Sequence, residues 1–173
     1  MLEEKTIRKA IKGNDKAFLK LINDSKEQIY RTAFAYVKEE DMALEIVQEV
    51  VYRAYKSIKK LKEPKYFNTW IIRIAINVST DFYNKKIKIV YMEHEKVLEK
   101  VEPVHNEEDD RLYLMESLDK LQEKYKKVVI LKYFDDLTFK EIAEVLEIPE
   151  STVKTNLYKA ISILRDHMKV EVI

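Results

Sequence analysis

The chain has 173 residues, 46% hydrophobic and 36% charged, which fits one medium folded domain or two small ones rather than a disordered chain. One glycine and three prolines argue against hairpin-rich β folds, and the lack of cysteine excludes disulfides and thiolate metal sites. Net charge is +1, no apolar run approaches the roughly 20 residues of a membrane span, and "MLEEKTIRKAIKGND" is too charged for a signal peptide, so a cytoplasmic protein is expected.

In chain order, residues 3–12 predict a short helix with Ile7, Ala10 and Ile11 inward, broken at Gly13-Asn14-Asp15. A longer helix runs to about Val37 through Phe18, Leu21, Ile22, Ile29, Ala33 and Phe34. A third, from about Met42 to Lys60, repeats apolar residues every three or four positions: Ala43, Ile46, Val47, Val50, Ala54 and Ile58. Leu61–Phe67 reads as a loop, because Pro64 disfavours helix at Glu63. The fourth helix spans about Tyr66 to Lys86, with Trp70, Ile74, Ala75, Val78 and Phe82 inward. Trp70 suits core packing better than a role as a stacking wedge. Together these make an all-α domain over residues 1–88. Residues 89–109 read as a flexible acidic linker, whose His94 and His105 lack metal-ligand spacing. A second helical domain covers residues 110–173. Leu112, Met115 and Leu118 give one helix; Leu121, Tyr125, Val128 and Val129 give the next. "TFKE", Thr138–Glu141, fits a capping box, and Pro149 suits the first position of the last helix.

Charge is segregated. Residues 53–92 hold ten Lys/Arg against two Asp/Glu, and residues 93–119 hold three against ten. Local charge sets the field a polyanion meets, so the first stretch suits nucleic acid and the second does not. At 100° per residue, Val153, Leu157, Ala160, Ile161 and Leu164 share one side of the last helix. The other side offers hydroxyls, an amide, an aromatic and two lysines, with no acid between Ser151 and Ile163. Such a face can enter a major groove and bond phosphates and base edges. A short helix, a turn of about three residues and a polar-fronted helix make the helix-turn-helix layout. An ordinary solvated helix explains the pattern about equally well.

Residues 118–165, "LDKLQEKYKKVVILKYFDDLTFKEIAEVLEIPESTVKTNLYKAISILR", resemble region 4 of bacterial sigma factors. Residues 41–86, with "EIVQEVVYRAY" and "FNTWIIRIAINVSTDFYNKK", resemble region 2 of the same family. Both motifs stand in the family's order with only a short linker between them. That layout is similar to the extracytoplasmic-function (ECF) group of the sigma-70 family.

The resemblance implies a promoter-specificity factor, not an enzyme, with no cofactor, metal or small-molecule substrate. It implies as partners the core RNA polymerase, through the β′ clamp and the β flap, and promoter DNA. It also implies a membrane-anchored anti-sigma factor that releases the chain on an envelope or stress signal. Glu45, Gln48, Glu49 and Tyr52 match core-binding positions. Lys62, Lys65, Tyr66, Asn68, Arg73, Asn77 and Lys85 match the face for the −10 element, where the Leu61–Phe67 loop forms the pocket for an extruded base. Ser151, Thr152, Lys154, Thr155, Tyr158 and Lys159 match the helix that reads the −35 element. The family often has glycine where this chain has Glu147 and Ser151, so the turn is expected to differ slightly.

Other readings predict other features. A helix-turn-helix regulator that is not a polymerase subunit shares the second domain only. A response-regulator type needs strands and glycines that this chain lacks. A membrane-surface helical protein suits the lysine-rich helices but leaves the last helix's polar face unexplained.

Overall fold

The computed structural model describes residues 4–93 and 117–170, with side chains to 88 in the first stretch and 166 in the second. His94, His105, Leu112 and Met115 lie outside the described residues. Among those described there are only helices and turns. Helix α1, Glu4–Ile11, buries Ile7 and Ala10. Gly13 ends it at φ +92°, a conformation that L side chains rarely adopt, and a Cβ there would also meet Lys59 Cε at 3.3 Å. The Asn14 side chain then accepts from Ala17 N at 2.9 Å and starts α2, Asp15–Val37. Lys38 closes α2 in the left-handed region, its N–H donating to Phe34 O.

Helix α3, Glu40–Ser57, buries Ala43, Ile46, Val50 and Ala54 along one stripe, as the spacing predicts. Ile58–Lys60, expected as the end of the third helix, is a single turn of 3-10 helix, and the expected Leu61–Phe67 loop contains another, Pro64–Tyr66. Helix α4, Phe67–Glu93, continues five residues past 88, into the stretch read from sequence as linker. Its buried face also differs from the expected one. Phe67, Ile71, Ile72, Ala75, Ile76 and Val78 are buried, whereas Trp70, Ile74 and Phe82 are half-buried. The cause is packing on more than one side. Helix α4 meets α2, α3 and also α6 (Phe139–Leu146), so a single apolar stripe does not describe it.

The described part of the second unit opens with helical residues 117–119, followed by α5, Glu123–Tyr133. Residues 128–131 of α5 are all buried, along with Tyr125 and Lys126. Such a run fits a helix held between α2 and the last helix, α7, Glu150–Val170. The capping box at α6 forms as the sequence predicts. Thr138 Oγ1 accepts from Glu141 N at 3.2 Å, and the Glu141 carboxylate accepts from Thr138 N at 2.8 Å. Glu147 terminates α6 at φ 56°, in the left-handed region, at a cost of about 1 kcal/mol for a non-glycine residue. Pro149 precedes α7, and its carbonyl accepts from Thr152 N and Val153 N. Side chains from both units join one buried cluster, so the units are packed together.

Candidate nucleic-acid and polymerase interfaces

The last helix presents its polar face as expected. Val153, Leu157, Ala160 and Leu164 are buried against α5 and α6. Ser151, Thr152, Lys154, Thr155, Tyr158 and Lys159 are all exposed on the opposite side. Tyr158 is 69% exposed, far more than a core-packing tyrosine. Lys154 Nζ sits 2.8 Å from Glu150 Oε1 and 5.5 Å from the Phe139 ring centroid, which poises the cation at the start of the helix. The Thr155 hydroxyl donates to Ser151 O at 3.0 Å, leaving its lone pairs to accept from a base or water.

A second polar face lies on the 61–66 loop and α4. At 100° per residue Trp70, Arg73 and Asn77 share one side of α4, and Tyr66 ends the 3-10 turn just before it. A cavity of about 350 Å³ is lined there by Leu61, Tyr66, Thr69, Trp70, Arg73 and Glu144. Trp70 tilts at 43° to Phe67, with centroids 5.7 Å apart. One edge of the indole therefore belongs to the core and the rest to the cavity. Lys65 Nζ stands 4.8 Å from the Tyr66 ring centroid. Lys62, Lys65 and Asn77 are exposed. Asn68 is exposed too, but about 160° around the helix from Trp70. Lys85 lies some three to four turns beyond the cavity, 5.8 Å from the Phe82 ring centroid. So the structure gathers Tyr66, Arg73 and Asn77, keeps Lys62 and Lys65 on the adjoining loop, and leaves Asn68 and Lys85 apart. Besides Arg73, which pairs with Glu147, two cations of the basic stretch are engaged in ion pairs. Arg53 pairs with Glu49 at 2.6 Å and with Asp81 at 3.3 Å, and Lys86 pairs with Glu39 at 2.7 Å.

Helix α3 carries the third face. Glu45 and Gln48 are exposed and Tyr52 is 54% exposed, while Glu49 is half-buried by its pair with Arg53. Lys56 Nζ lies 4.3 Å from the Tyr52 ring centroid. Leu44 is 46% exposed one turn before Gln48, and sequence reasoning missed it. Its signal was a leucine off the Ala43–Ile46–Val50–Ala54 stripe. A leucine left in water beside a polar row is what a protein-binding face needs at its centre.

Sequence reasoning also missed a polar seam between the two units. Lys126 is only 2% exposed. Its Nζ donates to Asp119 Oδ1 at 2.6 Å and to Tyr36 O at 3.1 Å, and stands 3.6 Å from the Tyr83 ring centroid. Burial pushes the ammonium down to about 8, with the Asp119 hydrogen bond opposing. Burial would raise the Asp119 carboxyl, but Lys126, Lys38 and Tyr83 all donate to it and hold it below its ordinary value. Further along the seam, Asp135 Oδ1 lies 2.9 Å from the Thr32 hydroxyl, and burial raises that carboxyl to about 6. The third contact joins the cavity to α6. Arg73 donates through Nη1 to Glu147 Oε1 at 2.6 Å and through Nη2 to the Glu144 carbonyl. No cluster of metal-ligating side chains occurs among the described residues.

Comparison with known proteins places both units in one family. The Sigma-70 region 2 family matches residues 21–88, and the Sigma-70 region 4 family matches residues 111–164. RNA polymerase sigma factor SigV of Bacillus subtilis (strain 168) is 38% identical over 87% of this chain and 90% of its own. ECF RNA polymerase sigma factor SigW of the same organism is 30% identical over 98% of each. Among solved structures, CnrH in complex with the cytosolic domain of CnrY shares the fold, with a TM-score of 0.76, 19% identity and 98% and 99% of the two chains covered. The chain belongs to the sigma-70 family of RNA polymerase sigma factors, in its extracytoplasmic-function group, and so to a family of non-enzymatic transcription initiation factors.

Proposed function

We propose that the three faces divide the work of promoter-specific initiation. The observation that carries this is the outward face of α7, where six groove-compatible side chains stand in solvent above a fully buried stripe. Lys154, Thr155 and Tyr158 read the −35 box, and Lys159 with the Ser151–Thr152 helix start holds phosphates. Lys62, Lys65, Tyr66, Arg73 and Asn77 hold the melted −10 strand around the Trp70 cavity, where an unstacked base gains a stacking surface. Asn68 and Lys85, which lie apart from that cavity, are left to phosphate contacts on the flanks. Glu45, Gln48, Glu49 and Tyr52 dock on the β′ clamp, with Leu44 as the apolar centre, and the second unit meets the β flap.

Residues 1–88, 89–109 and 110–173 then act as polymerase and −10 module, linker and −35 module. No helix among the described residues is long and apolar enough to cross a membrane, so a membrane-anchored anti-sigma factor would hold a cytoplasmic chain by contact alone. The CnrH complex supports such a partner, since it pairs a sigma-like fold with the cytosolic domain of another protein.

Run-off transcription with purified bacterial core polymerase on a promoter-fragment library tests the assignment. Gln48→Ala/Glu49→Ala should lose core recruitment. Lys154→Ala/Tyr158→Ala should keep core recruitment and lose −35 choice. If wild type never recruits core yet binds duplex DNA alone at physiological salt, a conventional helix-turn-helix regulator is the better account.

A further inference from the structure

The cavity proposed for the −10 strand is not open on all sides, and the chain's own second unit covers its basic wall. Arg73 stands on α4, in the first unit. Its two terminal nitrogens are taken by the end of α6, through Glu147 Oε1 at 2.6 Å and the Glu144 carbonyl. Its Nε is buried and has no partner among the described residues. Glu144 also lines the cavity beside Trp70. A guanidinium that meets two oxygens from one edge is in the geometry with which arginine grips phosphate.

The residue that supplies the carboxylate is costly where it stands. Glu147 holds φ 56°, where glycine is at ease and a side chain is strained. A glycine would terminate α6 with less strain and would carry no carboxylate. Helix ending alone therefore does not explain a glutamate at this turn; its contact across the seam does. The seam keeps that turn in place, because Lys126 and the Thr32–Asp135 pair tie α5 and its flanking turns to the first unit.

We propose that the Glu144–Glu147 turn is a built-in surrogate for a −10 strand phosphate, which locks the free chain with Arg73 occupied until the second unit swings away. This rests on the reading of Arg73 as part of the −10 site. The lock is weak by design of its parts. Glu147 is 71% exposed, and a pair of that exposure biases an equilibrium by roughly two- to fivefold. Such a bias lets core polymerase and promoter DNA outcompete it, while lowering the affinity of the free chain for single strands by the same factor.

The absence of native cysteine allows the test in the full chain. Lys26→Cys and Asp166→Cys, both exposed and outside every face described, carry a donor and an acceptor dye for single-molecule energy transfer. The same proteins are titrated with a labelled random single strand of about 12 nucleotides. Glu147→Gly and Glu147→Gln should raise the open population roughly two- to fivefold and tighten strand binding by the same factor. Glu27→Gln, the same charge change on the exposed side of α2, should alter neither. The swap Arg73→Glu/Glu147→Arg restores the ion pair but not the donation to the Glu144 carbonyl, so it should return the open population part of the way to that of wild type while strand binding is lost. An open population unchanged in Glu147→Gly overturns the lock. A chain that opens without gaining strand affinity, and that loses none when Arg73→Ala is added, overturns the −10 reading of Arg73 and the surrogate role together.

Discussion

On α7, the six residues assigned to the upstream promoter box face water, and Tyr158 is 69% exposed. On α4, Arg73 faces the end of α6 and already holds two of its oxygens. Both surfaces lie along one side of a helix, and both offer cations and aromatics to a polyanion. They differ in what covers them. The −35 face is complete in the free chain, whereas the −10 face shares its central cation with the chain's own second unit. On the proposed assignment, upstream reading needs no rearrangement, and strand capture does. The seam that imposes this difference is polar where it matters most, since a lysine, two aspartates and a threonine stand where an obligate domain interface would place leucines.

The largest expected effect comes from breaking that seam at its most buried charge. Lys126→Ala should cost about 2–4 kcal/mol in urea unfolding, because it leaves Asp119 and the Tyr36 carbonyl without their main donor. Lys126→Met keeps the packing against Tyr36 and Tyr83 and should cost clearly less than the alanine variant. Equal losses in the two variants would show that the charge, not the stem, carries the contact. A loss under about 1 kcal/mol in both would mean that the seam contributes little.

The second effect is a pH dependence. Burial raises Asp135 to about 6, against the ordinary carboxyl value near 4 that it regains when the seam opens or the chain unfolds. Thr32, Gln28 and Arg31 of α2 face it and oppose the shift, while Asp136 beside it adds to it. Closing therefore takes up a proton between those two values. The contribution is full below about pH 4 and fades as pH rises through 6, and the difference is on the order of 2 kcal/mol. Asp135→Asn should flatten the open population between pH 4 and 6.5, read by the same energy-transfer pair. A slope that survives in that variant assigns the proton to another group.

Third, Lys154→Ala and Tyr158→Ala should each weaken binding to a −35 duplex by about 1–2 kcal/mol, as part of the holoenzyme, and leave the open population untouched. Lys159→Ala should weaken all duplexes alike and flatten the salt dependence by about one unit of slope. If Lys154→Ala also weakens all sequences alike, it is a phosphate contact and Thr155 and Tyr158 carry the choice.

The same contrast explains what could be read from sequence. Helix α7 was legible because its polar side is exposed among the described residues: periodicity alone separated Val153, Leu157 and Ala160 from Ser151, Thr155 and Tyr158. Helix α3 was legible in the same way, apart from Leu44. The capping box at Thr138 was readable because its partners are three residues apart. Helix α4 was only half legible. Three elements pack around it, so a single stripe through Trp70, Ile74 and Val78 missed Ile71, Ile72 and Ile76. Lys126 was illegible. In "EKYKKVV" it reads as one of several solvated lysines, and its partners Tyr36 and Tyr83 lie far away in the chain. Arg73 was assigned to DNA by its place in the pattern, and no local pattern links it to Glu147, 74 residues on.

The smallest effect tests whether α6 serves both surfaces. Its start is fixed by the Thr138–Glu141 box and its end supplies Glu144 and Glu147 to Arg73. Its middle packs on α7, the reading helix. Thr138→Ala removes a cap worth about 1 kcal/mol, and Thr138→Ser should restore most of it. Loosening α6 in this way predicts opposite signs at the two surfaces: slightly weaker −35 duplex binding as the support of α7 frays, and slightly stronger single-strand binding as Arg73 is released. Both shifts should be under threefold, since 1 kcal/mol of local stability is shared between them. If the two affinities fall together, the variant has only destabilised the chain, and α6 does not set one promoter contact against the other.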